Sequence, residues 1–168
     1  VDLFEQPNAH SLTTSDLENG YVRPTQRSTY KFFALAIICF GLQVVAGMIS
    51  ATDFVRPFGI DLNSIIPFSV ARSYHTLLQI YWFFMCWVGY TIFFLPRLTK
   101  VPKGQQFLIN LLFLVACIVA VGAVTGIYVG QRGWISDELS YWFGSQGWEF
   151  IEMGRFFQLL LLGGFTLW

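Results

Sequence analysis

Four apolar stretches, each close to the length a helix needs to cross a bilayer, constrain this chain more than any other feature. A helix rises 1.5 Å per residue, so about 20 apolar residues cover the ~30 Å hydrocarbon layer. Only helices and closed barrels satisfy the backbone at that depth. Spans are predicted at about 30–51, 67–95, 107–129 and 148–168, which makes the expected fold class an all-α integral membrane protein, a four-transmembrane-helix bundle. Pro67 suits the first turn of the second span, and Pro96 ends it. Hydrophobic residues form 55% of the sequence and charged residues 12%, against roughly one-quarter charged in a soluble domain.

Residues 1–28 are polar and punctuated by Pro7, Gly20 and Pro24, which predicts a surface tail with His10 in solvent. Arg23, Arg27 and Lys31 flank the first span, and Arg97, Lys100 and Lys103 fill the second connection. The other two loops carry Arg56 and Arg132 alone. This bias predicts a cytoplasmic N-terminus. Trp134, Tyr141, Trp142 and Trp148 then fall at the outer interface, where amphipathic rings collect. Net charge is zero and the basic residues form no face, so nucleic acid is excluded as a partner. Cys39, Cys86 and Cys117 lie inside apolar runs without paired spacing and read as small buried hydrophobes. Gly122, Gly126 and Gly130 form a small-residue stripe expected to admit a neighbouring helix.

His75 is the one histidine within a span, two turns into the second. A polar ring at that depth is either a haem iron ligand or a group hydrogen-bonded between helices. Arg72, one turn earlier on the same face, could pair with a haem propionate or anchor the helix at the interface. In GWEFIEMGR, helical spacing puts Glu149, Glu152 and Arg155 on one face at the outer start of the fourth span. Acids there suit the helix dipole, and they could equally relay protons or hold Ca²⁺. Met48, Met85 and Met153 are the sulfur candidates for a second axial position, none singled out by spacing.

The stretch PFSVARSYHTLLQIYWF, Pro67 to Phe83, resembles the second-helix motif of nitric oxide reductases, members of the haem-copper oxidase superfamily. FGIDLNSII at 58–66, PKGQ at 102–105 and YWFGSQGWEFIEMGRFFQ at 141–158 are similar, in order, to the quinol-dependent branch. Ser69 stands where that family usually has Asn, and Ser145 where the quinol branch often has His.

The resemblance implies that His75 is an axial ligand of a low-spin haem b and that Arg72 lies near its propionates. It also places Glu149 near a Ca²⁺ site and Glu152 near a proton route. The complete enzyme would add a high-spin haem and non-haem iron, whose ligands are not in this sequence, and would take electrons from quinol or cytochrome c. The expected reading is the N-terminal part of such a catalytic subunit in a bacterial inner membrane, completed by further helices or a partner chain. An NO-dismutating or O₂-reducing relative shares these features. So does a non-catalytic membrane subunit without haem.

Overall fold

The longest apolar run folds as predicted because nothing interrupts it between two prolines. In the computed structural model, which describes residues 20, 22–55, 59, 62, 64–99, 101–146 and 152–168, this helix runs Phe68–Phe94. Pro67 precedes it in extended conformation, and a 3₁₀ turn, Leu95–Arg97, closes it at Pro96. Proline lacks the N–H that another α-turn would need. In chain order the helices are α1 (Pro24–Arg27), α2 (Tyr30–Thr52), α3 (Phe68–Phe94), α4 (Gln105–Gln131), α5 (Asp137–Phe143) and α6 (Arg155–Leu167).

Helix α3 is central. Leu77, Leu78, Tyr81, Met85, Val88 and Ile92 recur at three- and four-residue steps and are buried, the spacing of one helical face. Against them pack Phe32, Ala36 and Cys39 of α2 and Ala116 and Val119 of α4. The outward faces stay apolar: Ile37 and Val121 are each at least 70% exposed. That pattern belongs in lipid, where apolar surface costs nothing. Helix α4 starts after Gly104 at φ 82°, a left-handed turn that glycine adopts freely. It closes in a Schellman motif: Trp134 N–H bonds the Val129 carbonyl at 3.1 Å, and Gly133, at φ 67°, bonds that of Gly130 at 3.0 Å.

Two expectations need correcting. First, α2, α3 and α4 are long and apolar enough to cross a membrane, whereas the fourth stretch forms a helix of only 13 residues, about 20 Å long. It begins at Arg155 rather than near 148. Just ahead of it, Ser145 and Met153 form an antiparallel bridge, with Gln146 N–H bonding the Glu152 carbonyl at 2.9 Å, so residues 152–153 are bridged and not helical. Second, the polar tail is not entirely at the surface. Arg23, Thr25, Gln26 and Thr29 are buried, because the Gln26 amide reaches the Phe93 carbonyl at 2.8 Å and accepts from Arg23 N–H at 2.9 Å. His10 lies outside the described residues.

The glycine stripe mediates close packing, against the end of α5 and the two residues that follow it and against α6. A Cβ on Gly126 would fall 1.9 Å from the Phe143 carbonyl oxygen, and one on Gly130 would lie 2.6 Å from Ser145 N. Only Gly122 faces α6, where Phe157 fills the place a side chain would take. The stripe therefore seats the C-terminal end of α5, with Gly144 and Ser145, and the Phe157 ring of α6 on α4.

Candidate functional site

An open cleft of about 570 Å³ between α2 and the first turns of α3 is lined by Gln43, Val44, Gly47, Met48, Phe68, Arg72 and His75, among others. His75 stands half-buried in its wall. Its Nδ1 lies 3.0 Å from the Gln43 backbone carbonyl. A carbonyl can only accept, so Nδ1 carries the hydrogen and the Nε2 lone pair is left over. The Gln43 side-chain amide runs beside the ring, 3.1 Å from Nδ1 and 3.5 Å from Nε2. The amide nitrogen is the atom placed against the ring, and turning the amide by 180° would put an acceptor beside Nδ1 instead. The ring comes so near α2 because position 47 has no side chain: a Cβ there would be 2.7 Å from Nδ1.

Arg72 lines the same cleft and also reaches out of it. Its guanidinium meets Glu152 at 3.4 Å, with the Arg72 side chain 49% exposed and that of Glu152 9% exposed. Ser73 Oγ bonds Glu152 Oε2 and also lies 2.7 Å from the Ser69 carbonyl. Gln131 Nε2 donates to Glu152 Oε2 at 2.8 Å and to Ser73 Oγ at 3.1 Å. A buried carboxyl is thus held by three side chains from α3 and α4, as a buried polar group requires.

This arrangement corrects the expected acid face. Glu152 precedes α6 on bridged, non-helical chain, and Arg155, the first residue of α6, turns away to Tyr141 Oη at 3.3 Å and Gln158 Oε1 at 2.9 Å. Helical spacing fails because the Ser145 bridge holds residues 152–153 in another conformation. Glu149 lies outside the described residues, as does Trp148. Among the described residues no three His, Cys, Asp or Glu side chains converge on a metal position. Met48 shares the cleft with His75, whereas Met85 and Met153 line a separate apolar cavity between α3, α4 and α6. The cysteines are free thiols, Cys39 buried.

Residues 27–168 match the family model described as Cytochrome C and Quinol oxidase polypeptide I. The chain belongs to that family. Its members are membrane oxidoreductase subunits of the haem-copper oxidase superfamily, and the all-helical bundle with three candidate spans agrees with this membership. For a chain of this family, the pairing of His75 with Arg72 in one cleft was legible from their three-residue spacing. Gln43, Gly47, Ser73 and Gln131 were not identified from sequence. Gln43 alone carried a signal, as an amide in the middle of an apolar span.

Proposed function

We propose that the chain is the N-terminal part of a nitric oxide reductase-like catalytic subunit in which His75 supplies one axial ligand of a low-spin haem b and Arg72 meets a propionate. The observation that carries this reading is the His75 Nδ1 contact with the Gln43 carbonyl at 3.0 Å. Metal-ligating histidines characteristically donate their second ring N–H to such an acceptor, which fixes the tautomer and aims the free nitrogen. Three further features support it: Gly47 clears the space beside the ring, the cleft volume falls in the range of cofactor pockets, and Arg72 stands one turn along its rim. The chemistry such a haem supplies is one-electron transfer, here toward a haem and non-haem iron centre that reduces NO to N₂O.

Within this reading Arg72 binds and orients at the rim, while Glu152, tethered to it, holds a proton. Glu149 is assigned to a Ca²⁺ site. With His10 the one other histidine in the sequence, the opposite axial ligand and the ligands of the binuclear centre come from further helices of the complex. Quinol is the electron donor suggested by the motif resemblance, with cytochrome c the alternative. The membrane is assigned as a bacterial inner membrane, the N-terminus on its cytoplasmic side.

His75→Ala in the assembled complex is expected to abolish the low-spin haem spectrum, and an unchanged spectrum would reject the ligand assignment. The family description favours one second reading, an O₂-reducing relative. Supplying the purified complex with NO and O₂ separately, and measuring N₂O formed against O₂ consumed, distinguishes the two.

A further inference from the structure

The surroundings of Glu152 contain more hydrogen-bonding capacity than an ionised carboxylate can use. A carboxylate accepts only, so a purely structural anion needs donors around it. Donors are present: the Arg72 guanidinium at 3.4 Å and the Gln131 amide nitrogen at 2.8 Å. Acceptors are present as well. Ser73 Oγ, with a single hydrogen, touches two groups able to accept it, Glu152 Oε2 and the Ser69 carbonyl. Gln131 Oε1 is buried with no hydrogen-bond partner, a costly state for an amide oxygen.

We propose that Ser73 and Gln131 are positioning residues that hold Glu152 in both its ionised and its protonated form. The inference rests on the reading of Glu152 as a proton-holding group. In the ionised form, Gln131 N–H, Ser73 O–H and Arg72 N–H donate to the carboxylate. Protonation forms one O–H bond on Glu152 as one O–H bond of a hydronium ion, reaching it past the half-exposed Arg72, breaks and leaves water. That O–H is donated to Ser73 Oγ, whose own hydrogen swings to the Ser69 carbonyl. Alternatively, a half-turn of the Gln131 amide offers its unpartnered oxygen to that O–H in place of Ser73 Oγ. The carboxyl exchanges its proton without moving. Among the described residues Arg72 is the charged group that faces it: Arg132 on α4 bonds the Ser64 and Ile65 carbonyls, and Arg155 on α6 bonds Tyr141 and Gln158.

Infrared difference spectra of the assembled complex in membrane vesicles, recorded across a pH series, test this. Wild-type complex is expected to show a protonated-carboxyl C=O band that disappears in Glu152→Gln. Ser73→Ala and Gln131→Leu should each move that band to higher frequency and shift the pH at which it appears, while Ser73→Thr restores the wild-type band. A Glu152-dependent band that both Ser73→Ala and Gln131→Leu leave unchanged overturns the positioning role alone. The absence of any Glu152-dependent band in the wild type overturns the proton-holding reading itself. Subunit content in the same vesicles excludes failure to fold as the cause, and Ser73→Thr keeps the test decisive if one truncation does not assemble.

Discussion

Gly47 on α2 lies directly against the imidazole of His75 on α3: a methyl group on its Cα would sit 2.7 Å from Nδ1 and 2.9 Å from Cε1. Side chains do not approach that closely, so Gly47→Ala must push the ring away from the Gln43 carbonyl that orients it. If His75 holds the proposed low-spin haem, the expected result is loss of most of that haem's absorbance in the assembled complex. Spectra of the variant in native membranes, with subunit content measured in parallel, provide the check.

A second glycine pair separates close packing from helix propensity. Gly126 carries the Phe143 carbonyl against its Cα, whereas Gly41 has nothing within 4 Å of where a Cβ would stand. Gly126→Ala therefore forces a backbone shift and should destabilise by about 1–3 kcal/mol. Gly41→Ala relieves the flexibility of a mid-helix glycine and should stabilise by about 0.5–1 kcal/mol. Thermal unfolding of the two variants in detergent should move in opposite directions.

These contrasts mark what could be read from sequence. The spans of α2, α3 and α4 follow from apolar length, and the end of α3 from Pro96, because both are local properties of the chain. The start of α6 was not legible, since the Ser145 to Met153 bridge depends on two residues eight apart meeting ahead of it. For the same reason Glu152 was placed on a helical face with Arg155, while its partners Ser73 and Gln131 came from other elements. His75 and Arg72 stood out as candidates because polar groups within an apolar span are rare and costly, and the structure places both on one cleft. Gly47 could not be found, since its role is the absence of a side chain beside a residue 28 positions later.

At the other end of the bundle, Gln26 is 1% exposed and its amide joins Arg23 N–H to the Phe93 carbonyl. Gln26→Leu strands both backbone groups in a buried place, a loss of about 1–3 kcal/mol. Ser28→Ala, which removes a half-buried hydroxyl bonded to the Pro24 carbonyl and to Gln106, strands no backbone N–H and should cost less, about 0.5–1 kcal/mol. Denaturation midpoints of the two variants measure the difference.

Arg72 should divide stability from redox function. Its ion pair with Glu152 is 3.4 Å long and the guanidinium is about half exposed, a geometry in which solvent screening leaves at most about 1 kcal/mol. Arg72→Gln should therefore cost little in thermal unfolding. If the guanidinium lies beside the low-spin haem, its removal also takes a positive charge from near the iron and favours the oxidised form. A unit charge about 10 Å away at an effective dielectric near 20 is worth about 1.7 kcal/mol, or roughly 70 mV on a one-electron couple. The midpoint potential of that haem should fall by about this amount in a redox titration of the complex. A potential equal to wild type would place Arg72 away from the haem, and a stability loss well above 1 kcal/mol would make its pairing with Glu152 structural first.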